Sequence, residues 1–172
     1  MKLFIAINLP KEIKDYLWEL KEEFRNSGKF NFVPKKNYHI TLKFLGEVKE
    51  DKLKEIKEKL SKIKFNSFEI SLNEMGHFNY RVLWVDSRTK EDVYSLAKKI
   101  DEQLIEYPND HSFNDHITLA RIKDLKNKEE FDKKLKAKIK LIGFRIGSFE
   151  LMKSETSKDG ARYTVLEAYS IK

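Results

Sequence analysis

The tetrapeptide His-Ile-Thr-Leu occurs twice in this chain, as residues 39–42 and again as residues 116–119, and holds two of its four histidines. Two facing histidines can perform acid–base chemistry, because a neutral imidazole removes a proton from a nucleophile while a protonated one gives a proton to the leaving group. Attack on phosphorus needs the attacking and departing oxygens roughly in line. The repeat therefore predicts His39 and His116 as a catalytic pair on opposite sides of a phosphate.

A threonine follows each histidine by two residues. On an extended strand alternate side chains share a face, so His39 lies with Thr41, and His116 lies with Thr118. Their hydroxyls can donate hydrogen bonds to the nonbridging phosphate oxygens. Arg121 is the candidate for binding the remaining negative charge, since a guanidinium can contact two phosphate oxygens at once.

Strand alternation also makes predictions about the charged residues after the motifs. It puts Arg121 on the core side with Ile117 and Leu119, so Arg121 reaches the site only if the strand ends, twists or bulges near Ala120. An unpaired arginine in the core would be costly, which favours the bend. Alternation puts Lys43 on the cleft side, as a weaker candidate for phosphate contact.

The segments around the motifs repeat as well, which indicates an internal duplication. Each half is predicted to run strand, helix, motif strand, helix, strand. The hydrophobic patterns predict further strands over residues 3–7, 68–75, 82–85, 145–152 and 163–171. They predict helices with apolar stripes over residues 13–24, 53–63, 93–104 and 131–139.

Three helix starts carry recognisable signals. Pro10 stands near the start of the first helix, where the missing N–H is tolerated. Thr89 followed by Asp92 is similar to a capping box, and Asn127 is a predicted N-cap.

The length of 172 residues and the lack of a linker predict a single α+β domain made of two intertwined halves, about 1–76 and 77–172. The chain has no cysteine, which excludes disulfides and thiolate metal sites. No His-x-His or His-Glu-x-x-His spacing accompanies the motifs, so the sequence predicts neither a metal site nor a cofactor.

The formal net charge of +7 favours anionic partners such as nucleic acid. Most lysines are interleaved with glutamates on predicted helices, a pattern more typical of a solvated face than of a binding patch. No stretch approaches the ~20 apolar residues of a membrane span, and the first apolar run is short for a signal peptide. A cytoplasmic protein that does not bind membranes is therefore the default expectation.

The motifs and their flanks together resemble the 2H phosphoesterase superfamily, and more closely its RNA 2′,3′-cyclic phosphodiesterase branch, also called 2′-5′ RNA ligase. The resemblance extends in order over essentially the whole chain. The segments that carry it are residues 37–48, 81–85, 116–121 and 160–166.

This resemblance implies a bilobal, pseudo-twofold α+β fold with mainly antiparallel sheets, two helices in each lobe, and the motif strands facing each other across a cleft. It implies hydrolysis of a 2′,3′-cyclic phosphate on RNA, tRNA fragments among the candidates, to a 2′-phosphomonoester. His39 would be the proton donor and His116 the proton acceptor. A 5′-hydroxyl in place of water would give 2′-5′ ligation without a nucleotide triphosphate. Because the repeat builds the site within one chain, a monomer is expected.

Two features depart from the family pattern. Asp115 stands where members commonly have proline, and alternation directs its side chain away from the cleft. The loop 107–114 matches no family pattern and is expected to border the RNA entrance. The aromatic residue that stacks on the terminal base stays open.

Alternatives remain at this stage. The protein could be an RNA-end binding module without turnover, or a phosphodiesterase acting on a 2′-5′ oligonucleotide or a small cyclic nucleotide. The other two histidines, His77 and His111, are expected to be structural or merely exposed.

Overall fold

The computed structural model describes residues 1–88, 91–109, 112–158 and 160–171. Its strands are β1 (Lys2–Asn8), β2 (Gly28–Phe32), β3 (His39–Glu47), β4 (Phe68–Phe78), β5 (Val82–Arg88), β6 (Ile117–Leu125), β7 (Gly143–Ile146), β8 (Ser148–Ser157) and β9 (Gly160–Ser170). Its α-helices are α1 (Lys11–Leu20), α2 (Leu53–Ser61), α3 (Glu91–Gln103) and α4 (Lys128–Leu135). Short 3-10 helices cover Lys21–Ser27, Lys35–Asn37 and Glu50–Lys52.

The described strands form one antiparallel, bilobal sheet in the order β7-β4-β5-β6-β3-β1-β8-β9, with β2 paired to β6. The two lobes meet at the motif strands, where Ile40 of β3 pairs with Ile117 of β6. The chain crosses between lobes more than once, because β7 pairs with β4 whereas β8 pairs with β1 and β9. The fold is thus the expected α+β bilobal duplication.

One face of this sheet is covered and the other is open. Ile40 and Ile117 belong to the main core, together with the apolar faces of all four helices. The opposite face carries a small separate cluster of buried apolar residues formed by Phe4, Ala6 and Met152. A strand residue next to Ile40 or Ile117 therefore points to the open face.

The predicted elements differ from the observed ones mainly at their ends. The first helix ends at Leu20, and Phe24 lies in the 3-10 helix that follows. Ile139 lies beyond the end of α4. The predicted strand 145–152 is split at Gly147, because the chain leaves the edge of one lobe there and joins the other. The short strand β2 was not predicted.

Two of the helix-start signals are confirmed. Pro10 is the N-cap residue of α1. The side chain of Asn127 accepts a hydrogen bond of 3.0 Å from the backbone N–H of Glu130, as an N-cap should. The predicted cap at Thr89 lies outside the described residues, as does His111.

Candidate active site

The four motif side chains are brought together by a single residue pair. Ile40 and Ile117 are directly opposite in antiparallel strands and are both buried in the core. Extending this register by one residue in each direction puts His39 beside Thr118, and Thr41 beside His116. Opposite residues share a face, so all four side chains lie on the open face of the sheet, around an approximate twofold axis.

The two histidines are fixed in the same way. The Nδ1 atom of His39 lies 2.6 Å from the carbonyl oxygen of Asn37, and Nδ1 of His116 lies 2.8 Å from that of Asn114. A carbonyl oxygen can only accept, so Nδ1 carries hydrogen in both rings. The Nε2 atoms are therefore the nitrogens that can exchange a proton with a substrate.

The Nε2 atom of His39 lies 2.9 Å from the hydroxyl oxygen of Thr41. With neutral His39, the Thr41 hydroxyl donates its only hydrogen to Nε2. When Nε2 gains a proton, that hydrogen is released and can be donated to a phosphate oxygen instead. Protonation of His39 and phosphate binding by Thr41 are thus coupled.

Aromatic rings surround His39. The Phe4 ring lies 5.1 Å from the imidazole, and the Tyr163 ring meets it edge-on at 5.4 Å. The pKa of His39 is lowered to about 4, mainly by burial and to a smaller extent by the positive charges of His116 and Lys14, while the hydrogen bond to Asn37 opposes this shift. The free protein therefore holds His39 neutral near neutral pH, and protonation of either histidine disfavours protonation of the other.

The surroundings of His116 belong to the other lobe. The Phe78 ring meets its imidazole edge-on at 5.0 Å, and Phe78 lies 5.3 Å from Trp84, which pairs with Thr118. Gly76 makes room for this indole, because a Cβ there would lie 2.3 Å from the Trp84 ring. These side chains form the floor of the open face beside His116.

A bulge turns Arg121 toward the open face. Leu83 pairs with Ala120 and Trp84 with Thr118, so Leu119 is an extra residue in β6. Leu119 and Ala120 are both 0% exposed, whereas Arg121 is exposed. The bend that was predicted near Ala120 is therefore present. Within the described residues, the side chain of Arg121 makes no hydrogen bond or ion pair, which leaves its guanidinium available to an anion.

The same bulge in the other motif strand corrects the prediction for Lys43. Ile5 pairs with Lys43 and Ala6 with Thr41, so Leu42 is the extra residue in β3. Lys43 consequently turns away from the open face that carries His39 and Thr41, and its side chain is buried. The prediction that alternation puts Lys43 on the same face as His39 and Thr41 is wrong, because the bulge reverses the alternation.

Lys43 instead connects the motif strand to the helix and loop that precede the second motif. Its ammonium group donates to the carboxylate of Asp101 in α3 and, at 3.3 Å, to the side-chain oxygen of Asn109. Its role is therefore to hold the loop before His116 rather than to bind phosphate.

Phe44 occupies in the first lobe the place that Arg121 occupies in the second. It pairs with Phe4, shares the open face with that ring, and is 59% exposed. Phe44 was not identified from the sequence. The signal that could have found it is its position five residues after His39, which is also the spacing from His116 to Arg121.

Asp115, the departure from the family pattern, is fully buried. Its carboxylate accepts hydrogen bonds from the hydroxyl of Ser87 and, at 3.2 Å, from the backbone N–H of Ser87. The side chain thus lies away from the open face, as alternation predicts, and joins the residue before His116 to β5.

His77 has a structural environment. Its ring stacks on Tyr80 at 3.9 Å, and its Nδ1 accepts a hydrogen bond of 3.0 Å from the Tyr80 backbone N–H. Its Nε2 lies 3.6 Å from the carboxylate of Asp132. These contacts secure the turn between β4 and β5, where Asn79 and Tyr80 both have positive φ.

A cleft of about 320 Å³ adjoins the motifs. Its lining includes Thr41, Phe44 and His116, together with Pro108 and Asn109 from the loop between α3 and β6. The described part of this loop thus borders the cleft, and its place at an RNA entrance stays a prediction. Among the described residues, no cluster of three histidine or acidic side chains could hold a metal ion, and no helix is long and apolar enough to cross a membrane.

Comparison with known proteins places this site in a family. The sequence model of the LigT-like phosphoesterases matches the chain over residues 7–84 and again over 83–163. The RNA 2′,3′-cyclic phosphodiesterase of Methanocaldococcus jannaschii is 34% identical over 180 residues, covering 98% of this chain and 100% of that protein.

Solved structures agree. The crystal structure of TT0787 of Thermus thermophilus superposes with a TM-score of 0.83 at 29% identity, covering 99% of this chain and 98% of that one. Escherichia coli LigT complexed with 3′-AMP gives 0.79 at 26% identity, covering 99% and 96%. The resemblance read from the two motifs is confirmed, and the chain belongs to the LigT-like phosphoesterases of the 2H superfamily.

Proposed function

We propose that the protein hydrolyses the 2′,3′-cyclic phosphate at the end of an RNA to a 2′-phosphomonoester. The observation that carries the proposal is the matched histidine pair, in which a backbone carbonyl of an asparagine accepts a hydrogen bond from each Nδ1, so that Nε2 is the nitrogen of each ring that can exchange a proton with a substrate. The name of the Methanocaldococcus jannaschii relative supports the same substrate.

In the proposed reaction His116 is the base and His39 the acid, an assignment that follows the family resemblance. Nε2 of His116 takes a proton from water as the water oxygen bonds to phosphorus. The bond between phosphorus and the 3′ oxygen breaks, and Nε2 of His39 gives its proton to that oxygen. The phosphate stays on the 2′ oxygen.

His39 must gain a proton before it can act as the acid. Burial holds the pKa of His39 near 4 in the free protein. The negative charge of a bound cyclic phosphate opposes this effect and raises the pKa, because an anion nearby favours imidazolium. Substrate binding would thus charge the acid, and the Thr41 hydroxyl would be freed at the same moment to bind the phosphate.

The negative charge on the phosphate is met by side chains from both lobes. Thr41 and Thr118 would donate to the nonbridging oxygens, and Arg121 would bind them with its unpaired guanidinium. Acid, base and cation all come from the chain itself, so we propose a mechanism that requires no metal and no cofactor.

The same arrangement would also join RNA. If a 5′-hydroxyl takes the place of water, His116 would remove its proton and a 2′-5′ linkage would form without ATP.

The net charge of +7 favours binding of the RNA polyanion, and tRNA fragments that end in cyclic phosphates are candidate substrates. One chain carries both histidines, so we propose that a monomer is active.

Product analysis tests the proposal. A short RNA ending in a 2′,3′-cyclic phosphate is incubated with the protein in EDTA, and the end group is identified by ³¹P NMR. Formation of a 2′-phosphate is expected. Binding without any product would favour the RNA-end binding module, and faster turnover of free cyclic nucleotides or 2′-5′ oligonucleotides would favour the other phosphodiesterase alternative.

A further inference from the structure

Tyr163 reaches the first histidine from a distant strand. In the strand order β3-β1-β8-β9, three strand spacings, about 14 Å in a flat sheet, separate β9 from β3. The Tyr163 ring nevertheless lies 5.4 Å from the His39 ring and 4.9 Å from the Phe4 ring, edge-on to both. The sheet therefore curls so that its C-terminal strand closes over one side of the active site.

The register fixes which side chain of β9 does this. Tyr163 pairs with Ser154, and two residues earlier on β8 Met152 pairs with Phe4. Tyr163 therefore shares the open face with Phe4 and packs on the small apolar cluster of that face. Its ring is held between this cluster and the His39 imidazole.

The hydroxyl of Tyr163 is in a different situation. Within the described residues it makes no hydrogen bond. Burial raises the pKa of Tyr163, and the positive charge of Arg121 acts against this rise. The Tyr163 hydroxyl is thus a neutral phenol that can donate a hydrogen bond. It lies close enough to Arg121, which comes from the opposite lobe, to feel the positive charge of that guanidinium.

We propose that Tyr163 completes the phosphate-binding site: its hydroxyl donates a hydrogen bond to the nonbridging oxygen on the Arg121 side, while its ring holds the His39 imidazole in place. This inference rests on the proposed function of the site.

A neutral donor suits this position. Thr41 is engaged with Nε2 of His39 in the free protein, so a donor that is already unoccupied helps the phosphate to bind first. A lysine beside His39 would supply a hydrogen bond too, but its charge would disfavour the imidazolium that must donate the proton. A phenol binds the phosphate oxygen without this cost.

The decisive comparison is Tyr163→Phe against Tyr169→Phe. Both remove one hydroxyl from β9, but Tyr169 faces the core, where its ring stacks on Phe149 and its hydroxyl has no hydrogen-bond partner among the described residues. Tyr163→Phe should lower kcat/KM for the cyclic-phosphate RNA about 10- to 100-fold, as expected for a hydrogen bond to a charged group, and weaken binding of inorganic phosphate. Tyr169→Phe should match wild type in both.

A second variant tests the ring. Tyr163→Leu removes the aromatic edge and exposes His39 to water, so the limb of the pH–rate profile that belongs to His39 should move to higher pH. Tyr163→Phe keeps the ring and should leave that limb in place. A merely structural role for Tyr163 would not separate the two variants in this way.

The proposal is overturned if Tyr163→Phe equals Tyr169→Phe in turnover and in phosphate affinity. The double variant with Arg121→Ala gives a further check, because two groups on one oxygen should lose less together than the sum of their separate losses. If wild type shows no turnover at all, the proposed function fails, while the phosphate affinities still decide the role of Tyr163.

Discussion

Arg121 and Phe44 occupy equivalent positions on the two motif strands. Each lies five residues after its histidine and just beyond a bulge that turns it to the open face. The duplicated backbone thus presents a guanidinium from one lobe and a phenyl ring from the other. A cyclic-phosphate end of RNA offers a matching pair of groups, a phosphate and a base.

Replacing Arg121 tests the charged side of this asymmetry. Arg121→Ala should lower kcat/KM for a cyclic-phosphate RNA by about 100-fold or more, since it removes a charge-assisted contact to the phosphate. Arg121→Lys should recover only part of the loss, because an ammonium cannot contact two oxygens in the same plane. Steady-state kinetics measure this effect, with Arg25→Ala, which removes a surface pair with Glu22, as the control. Full activity of Arg121→Ala would contradict the phosphate role.

Replacing Phe44 tests the apolar side. Phe44→Ala should raise KM for the terminal nucleotide by about tenfold, since stacking of a base on an aromatic ring contributes about 1–3 kcal/mol. Affinity for inorganic phosphate, measured by titration calorimetry, should stay as in wild type because phosphate has no base. Equal losses for both ligands would show instead that Phe44 only supports the fold of β3.

Stability should depend on pH through His39. The pKa of His39 in the folded protein is about 4, below its ordinary value of 6.5. Between these values the unfolded chain binds more protons than the folded one, so the free energy of unfolding falls as pH decreases through this window. The Tm of wild type should therefore drop more steeply from pH 6.5 to 4 than that of His39→Asn, which cannot titrate. Parallel curves would show that His39 is not held neutral by the fold.

Lys43 offers a test of the bulge itself. Lys43→Met removes the buried ammonium group that contacts Asp101 and Asn109 but keeps most of the side-chain volume. Asp101 is half exposed, so we expect a loss of about 1 kcal/mol in the free energy of unfolding. The rate of the chemical step in single turnover should stay close to that of wild type. A large loss in that rate with an unchanged Tm would indicate that Lys43 contacts the phosphate after all.

The motif residues show which parts of the site a sequence can predict. Period-two alternation correctly put His39 and Thr41 on one face, because the strand is regular between them. Alternation failed from Leu42 onward, since a bulge has no clear sequence signal. The bend before Arg121 was predictable only because burying an unpaired arginine would be costly. For Lys43 the cost of burial does not indicate which face it takes, because its ammonium group reaches the half-exposed carboxylate of Asp101 from the buried side.

Tyr163 could not be predicted from spacing. Its contact with His39 depends on the curl of four neighbouring strands. This curl is the sum of small twists between strands, and no local sequence pattern records them.

The ends of some helices and strands could not be predicted for a related reason. The segment around Gly147 reads as one strand, and it is divided because its two parts pair with different lobes.

The most direct test of the account is the single-turnover rate of His39→Ala, His116→Ala and the double variant on a 2′,3′-cyclic-phosphate RNA in EDTA, with His77→Ala as the matched histidine control. Each active-site variant should be slower than wild type by about 10²- to 10⁴-fold, and the double variant should lose less than the product of the two, because the pair acts as a unit. His77→Ala should retain the wild-type rate. A wild-type rate in either His39→Ala or His116→Ala would contradict two-histidine catalysis.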